Sequence, residues 1–244
     1  MALTREQAAK KVMVALDYPD SAAAETLIKQ LQGIPCYMKV GMQLFYAAGP
    51  SFVASLKEQG YHVFLDVKMH DIPNTVKGGS GSVTRLGVDM FNVHAAGGRA
   101  MMEAALEGVD AAIGTGQKKP DVIAVTQLTS TSKTMMNEEI GISGSVEAAV
   151  LRYAEQAHAS GLDGVVAAPS EVIAVKSACG ASFKTVTPGI RPLGVAAGDQ
   201  SRIMTPGEAL RQGTDYMVIG RPITAAQDPR AALESILEEL IGIE

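Results

Sequence analysis

Eight times along the chain a short apolar run is followed by a polar turn and then by a stretch with helical periodicity. This repeat constrains the fold most, because strands that alternate with helices pair in parallel and have both faces covered. The runs are Val12 to Leu16, Tyr37 to Val40, Val63 to Val67, Met90 to Val93, Val122 to Gln127, Gly164 to Ala168, Lys184 to Thr187 and Tyr216 to Ile219. Most are β-branched or aliphatic on both faces, as buried parallel strands require. Between them, Phe52, Val53 and Leu56 mark a helix that stops at Gly60. Near the end, Asp228 can cap a helix that starts at Pro229 and carries Leu233, Ile236, Leu237 and Leu240 as one stripe. Eight such units in 244 residues, with no linker, charge block or low-complexity tract, predict an α/β fold, a single-domain (β/α)8 barrel over residues 1–244. A doubly wound open sheet is the alternative, but eight units of this length suit closure better.

Charge and cysteine usage narrow the function classes. A formal charge of −5 and a pI near 5.5 give no general attraction for nucleic acid or anionic lipid. Neither is expected as a partner, so any anionic ligand must be held by a local site. Cys36 and Cys179 lack CxxC spacing, which argues against a zinc site or a disulfide framework and for reduced thiols. The apolar run behind Arg5, Lys10 and Lys11 is too short for a signal sequence, and no stretch approaches the roughly 20 apolar residues of a membrane span. The expected location is cytoplasmic. No GxGxxG follows a strand and no Walker loop is present, so no nucleotide cofactor is signalled.

In a barrel, chemistry belongs at the C-terminal ends of the strands. The first three strands end in Asp17, in Lys39-Val40-Gly41 and in Asp66-Val67-Lys68-Met69-His70-Asp71. Charges that converge on a barrel mouth must pair with one another to offset desolvation. Asp66 and Lys68 are two apart, so an extended strand points both to the same face, where they can pair. Asp71 lies beyond the strand, because Ile72-Pro73 forces a turn, and it is free to face the same site or a neighbouring subunit. A lysine flanked by carboxylates reads as a proton donor rather than as an amine nucleophile, which weighs against Schiff-base chemistry.

A second constellation lies late in the chain, where barrels hold phosphate. Strand seven runs into Thr187-Pro188-Gly189-Ile190-Arg191, and strand eight into Ile219-Gly220-Arg221. Gly220 allows a backbone N–H to approach an oxyanion, and Arg221 offers a forked donor. The long connection from Pro188 to Met204, with Gly194, Gly198, Asp199 and Gln200, has the composition of a lid. His94 reads as a hydrogen-bonded structural residue. His62, His70 and His158 share no ligand spacing, and no metal site is expected.

The run Asp66-Val67-Lys68-Met69-His70-Asp71-Ile72-Pro73-Asn74-Thr75 resembles the signature of the orotidine 5'-phosphate decarboxylase family, especially its bacterial members. The resemblance extends to Val14-Ala15-Leu16-Asp17, Lys39-Val40-Gly41, Asn92-Val93-His94-Ala95-Ala96-Gly97-Gly98, Val125-Thr126-Gln127-Leu128-Thr129-Ser130, Thr187-Pro188-Gly189-Ile190-Arg191, Gly198-Asp199-Gln200 and Val218-Ile219-Gly220-Arg221. It implies decarboxylation of orotidine 5'-monophosphate to UMP and CO2 without cofactor or metal, the last step of de novo UMP synthesis. Lys39, Asp66, Lys68 and Asp71 then resemble the charged array at the reacting carbon, with Lys68 stabilising and protonating the C6 carbanion. By the same resemblance, Asp17 and Lys39 are ribose contacts, and Thr129 is a pyrimidine contact. Arg191, Gln200, Gly220 and Arg221 resemble the phosphate grip and its lid, and Pro188 is a further substrate contact. The resemblance also implies a homodimer in which the partner subunit donates Asp71 and Thr75. Two rival readings stand beside it: a magnesium-dependent 3-keto-hexulose-6-phosphate decarboxylase or synthase on the same barrel, and a non-catalytic phospho-ligand binding protein.

Overall fold

In the computed structural model, which describes residues 2–192 and 204–243, eight parallel strands close into a barrel in chain order. They are β1 (Val12–Leu16), β2 (Tyr37–Gly41), β3 (His62–Met69), β4 (Met90–His94), β5 (Asp121–Val125), β6 (Gly164–Val166), β7 (Lys184–Thr187) and β8 (Tyr216–Ile219). Helix α1 (Arg5–Lys11) precedes the barrel. The connecting helices are α2 (Ser21–Gln30), α3 (Met42–Glu58), α4 (Pro73–Arg85), α5 (Gly98–Ala112), α6 (Val146–Ala159), α7 (Val172–Cys179), α8 (Pro206–Arg211), α9 (Arg221–Thr224) and α10 (Pro229–Ile241). The closing contact is β1 against β8, with Val14 opposite Ile219. None of the described helices is long and apolar enough to cross a membrane.

The helix ends follow from local chemistry. The Asp228 side chain accepts from the Ala231 N–H, Pro229 opens α10, and the stripe Leu233, Ile236, Leu237 and Leu240 is buried. Gly60, at φ +84°, lets the chain leave α3 in the left-handed region. Two strands stop earlier than expected. β6 ends at Val166 rather than Ala168, because Pro169 has no N–H to offer a ladder and restricts the residue before it. β5 ends at Val125 rather than Gln127, and the Thr126 hydroxyl, not a further ladder bond, donates to the Val166 carbonyl at 2.8 Å.

The strand period of two sorts the barrel interior into levels. Met13, Tyr37, Phe64, Met90, Ile123 and Val186 pack together inside the barrel as an apolar plug. One step of two beyond Tyr37, Phe64 and Met90 lie Lys39, Asp66 and Asn92, so on β2, β3 and β4 polar groups are set directly above hydrocarbon. A larger apolar layer fills the space between barrel and helices. Where α4 meets α5 the helices touch backbone to backbone: a Cβ at Gly108 would collide with the Lys77 carbonyl. This contact fixes α4, whose first turn carries Pro73 to Thr75.

At the opposite, N-terminal rim one device recurs ahead of three of the strands. Asp89, Asp163 and Asp215, just ahead of β4, β6 and β8, accept from the N–H of Val63, Val122 and Thr185 at 2.8, 2.8 and 2.7 Å. Each acceptor thus satisfies the second residue of the preceding strand, a donor the closed ladder leaves over. Asp89 also takes hydrogen bonds from Lys57 and His62. Burial alone would raise the Asp89 carboxyl, but the bonds from His62, Lys57 and Val63 bring it down from 3.8 to about 2. A depressed carboxylate stabilises the fold above its unfolded value and loses that contribution as the pH falls through its folded one. Asp89→Asn should therefore cost about 2 kcal/mol at neutral pH. The deficit should shrink between pH 4 and about 2. Denaturant titrations of both proteins across this range check it, and a deficit independent of pH would contradict the assignment.

Candidate active site

The C-terminal ends of the strands surround a cavity of about 690 Å³, within the range of small-molecule sites. Along one wall the charges alternate without a gap. Asp17 Oδ1 lies 3.0 Å from Lys39 Nζ, Lys39 Nζ 3.3 Å from Asp66 Oδ2, and Asp66 Oδ1 2.6 Å from Lys68 Nζ. The strands that carry these groups, β1 to β3, are neighbours in the barrel, so their ends converge. The Lys39 side chain is only 8% exposed and that of Asp66 13%, whereas Asp17 opens to solvent at 63%. Burial by itself would lower the Lys39 ammonium, yet Asp66 and Asp17 hold it above the ordinary lysine value. Burial would likewise raise Asp66, and Lys39, Lys68 and Asn92 together carry it below the usual carboxylate range. Gly41 makes room for the pair on β2: a Cβ there would stand 3.2 Å from both Asp17 Oδ1 and Lys39 Nζ.

Asp66 and Lys68 do pair, but not on a regular strand. Leu65 is opposite Phe91 and Met69 opposite Val93, so three residues of β3 face the single Asn92 of β4. Within this bulge Lys68 has φ +51°, the one positive φ outside glycine among the described residues. Asn92, fully buried, donates through Nδ2 to Asp66 Oδ1 at 2.7 Å and accepts the Lys68 N–H on Oδ1 at 2.8 Å. The sequence alone places Asn92 in a motif and does not mark it as a partner of Asp66 or Lys68. The signal available was a polar residue in the middle of an otherwise apolar strand.

Pro188, Gly189, Arg191, Gly220 and Arg221 line the same cavity from the ends of β7 and β8. The Arg191 N–H donates to the Met204 carbonyl at 2.9 Å, and Ile190 bridges to Met204 in parallel, so the two described ends of the 188–204 connection are tied together. Gln200 lies outside the described residues. Thr129 lines the cavity beside Gln127 and Ser130, and Phe64 joins the lining at the level of the plug. Asp71 and Thr75 are exposed and do not line the cavity of their own chain, and Asp71 Oδ1 accepts from the Ile72 N–H at 2.7 Å. Ile72 beside them is 66% exposed. His70 and His94 stack at 5.4 Å between centroids, a contact that their spacing in the sequence does not signal. Burial, with His70 and Lys68 close by, lowers His94. Among the described residues no three His, Cys, Asp or Glu side chains lie together as a metal ligand set. Cys36 and Cys179 are free and buried, and burial pushes the Cys36 thiol up to about 12.

Residues 10–236 match the orotidine 5'-phosphate decarboxylase / HUMPS family. The chain is 52% identical over 239 residues to an orotidine 5'-phosphate decarboxylase of Moorella thermoacetica, a match that covers 98% of this chain and 95% of that one. It is 51% identical over 232 residues to the protein of the same name from Geobacillus thermodenitrificans, covering 95% and 97%. Among solved structures, the orotidine 5'-phosphate decarboxylase of Lactobacillus acidophilus superposes with a TM-score of 0.86 at 40% identity, covering 95% of this chain and 99% of that one. An uncharacterized conserved protein of Geobacillus kaustophilus superposes at 0.84 with 47% identity, covering 94% and 99%. With its barrel, its alternating charges and a match along nearly its whole length, the chain belongs to the orotidine 5'-phosphate decarboxylase / HUMPS family.

Proposed function

We propose that this protein decarboxylates orotidine 5'-monophosphate to UMP and CO2, as its relatives' names say of them. The observation that carries the reading is the unbroken alternation Asp17, Lys39, Asp66, Lys68 on one wall of a cavity that Arg191, Gly220 and Arg221 also line. Breaking the bond from C6 to the carboxylate leaves an electron pair on a vinylic carbon with no adjacent sink, so stabilisation must be electrostatic. The Lys68 ammonium supplies it and then gives C6 its proton, while CO2 departs. Asp66 holds that ammonium in place. Lys39 and Asp17 receive the ribose, Thr129 the base, and Pro188, Arg191, Gln200, Gly220 and Arg221 the phosphate. No step calls for a cofactor.

The site is completed across a homodimer, in which Asp71 and Thr75 enter the partner's cavity. Their exposure outside their own cavity, beside an exposed Ile72, supports this reading.

The direct test is the ultraviolet absorbance change of orotidine 5'-monophosphate in EDTA. Turnover should persist unchanged. Activity lost on chelation and restored by magnesium would point instead to a metal-dependent sugar-phosphate enzyme of the same fold.

Lys68→Ala should cut kcat by at least roughly 10⁴-fold, because one deletion removes both the charge facing the carbanion and the proton that quenches it. UMP binding should survive, since phosphate and base contacts lie elsewhere. Mixed with an equally inactive Asp71→Asn protein, it should regain about a quarter of the wild-type activity, as random dimers place one intact site in half of the molecules. Near-normal kcat in folded Lys68→Ala would refute the mechanism, and no regain on mixing would refute the shared site.

Arg221→Ala should raise KM about tenfold or more, since a charge-assisted hydrogen bond is worth roughly 1.5–3 kcal/mol. It should also lower kcat, because binding energy from a remote group is used in the transition state. Steady-state kinetics with wild-type values would place the phosphate elsewhere.

A further inference from the structure

We propose that Asn92 is a positioning residue for the Asp66–Lys68 pair, setting the carboxylate and the backbone of the lysine at once; the inference rests on the decarboxylase reading above. In an unbroken register Leu65 opposite Phe91 would bring Lys68 opposite His94. The bulge instead draws the chain back by two residues, about 6 Å along the strand, and leaves Lys68 beside Asp66. Drawing it back puts Lys68 at φ +51°, in the left-handed region that an L-residue adopts only when its surroundings hold it there.

The Asn92 amide does that holding. The Lys68 backbone N–H, which the bulge removes from the ladder, reaches Oδ1 at 2.8 Å, and Nδ2 reaches Asp66 Oδ1 at 2.7 Å. The amide's orientation is fixed by chemistry, since a backbone N–H can only donate and an ionised carboxylate can only accept. The oxygen that Nδ2 grips also receives Lys68 Nζ at 2.6 Å, which leaves Oδ2 to Lys39 at 3.3 Å. One neutral side chain therefore fixes both the root of Lys68 and the acceptor that aims its ammonium. Asn92 is fully buried and does not line the cavity, so it acts through its partners and not on substrate.

Two variants test this. Asn92→Ala removes both bonds. The expected loss is about 100-fold in kcat, the scale of an ångström-level misplacement at a reacting centre, with the dissociation constant for UMP within about threefold of wild type. Asn92→Asp keeps the shape and the acceptor for the Lys68 N–H but turns a carboxyl toward Asp66. Two adjoining carboxylates bind one proton between them, and while it is held its O–H replaces the lost donor. kcat should then stay near wild type at low pH and fall as the pH rises and that proton leaves, giving an alkaline limb that wild type lacks. The other groups that titrate around the position are Lys68 on β3, Lys39 on β2, and His70 with His94 at the ends of β3 and β4. β5 presents Ile123 opposite Asn92. These groups are common to both proteins, so the limb is read as the difference between the two pH profiles.

Wild-type kcat in Asn92→Ala overturns the proposal, as does a parallel loss of kcat and UMP affinity, which is what general loosening of the barrel would give. If Asn92→Ala does not fold, Asn92→Asp decides alone: the added alkaline limb supports the proposal, and a profile parallel to wild type overturns it. A wild-type protein that leaves orotidine 5'-monophosphate intact would instead defeat the decarboxylase reading, before any variant is compared.

Discussion

The arrangement of the site depends on one carboxylate. Asp66 is largely buried above a hydrocarbon plug, where an isolated negative charge would revert to the neutral acid. It stays ionised because three donors from three strands meet on its two oxygens: Lys39 from β2, Lys68 from β3 and Asn92 from β4. Each of these also depends on the carboxylate, since Lys39 is as deeply buried as Asp66 and could not hold its charge there alone. Such a network has to be complete, because removing a charged member leaves its partner's charge in a place that cannot solvate it, and removing Asn92 takes a donor from the buried carboxylate.

The plug gives this network its strength. Tyr37, Phe64 and Met90 exclude water from beneath Lys39, Asp66 and Asn92, and charges over such a surface interact more strongly than charges in water. The period of two along the strand makes the stacking automatic, with a large apolar residue followed two positions later by a polar one on the same interior face. Strong fields at the strand ends are therefore compatible with a tightly packed barrel, because the two occupy successive levels of the same strands. The N-terminal rim uses carboxylates differently. Asp89, Asp163 and Asp215 face backbone N–H groups and hold the strand starts, so there the carboxylates act as hydrogen-bond acceptors for the ladder; the charge itself is favoured at Asp89, whereas burial raises Asp163.

Much of this was legible in the sequence, for a reason that also explains what was not. Apolar runs mark buried strands whatever their partners, so β1, β7 and β8 were read with both ends correct, as was the Asp228-Pro229 start of α10. Charged residues closing such runs are rare enough to point to the mouth of the barrel. The pairing of Asp66 with Lys68 was anticipated from a spacing of two, yet it arises inside a bulge with a left-handed lysine. Spacing does not report a bulge, because the extra residues are defined only against the neighbouring strand. The partners that sequence missed are distant along the chain: Asn92 is 26 residues from Asp66, and the His70–His94 stack joins the ends of two strands. The need for glycine at position 41 is likewise invisible along the chain, since it comes from the Asp17–Lys39 pair lying against its backbone.

The bulge at Lys68 connects these levels of description. A lysine at the end of a regular β3 would stand opposite His94, higher on the wall and farther from the carboxylate that aims it. Bringing it down requires a backbone conformation that costs free energy and frees an N–H from the ladder, and both must be compensated within the same few residues. A glycine at that position would relieve the backbone but carry no ammonium, and an apolar residue at position 92 would leave the N–H unpaired in a dry interior. The combination present, a left-handed lysine facing a buried asparagine, satisfies the backbone, the carboxylate and the ammonium together. Its cost is borne by the rest of the barrel, where α4 packed backbone to backbone on α5 and the carboxylate-capped N-terminal rim leave β3 little freedom to relax to an unbroken register.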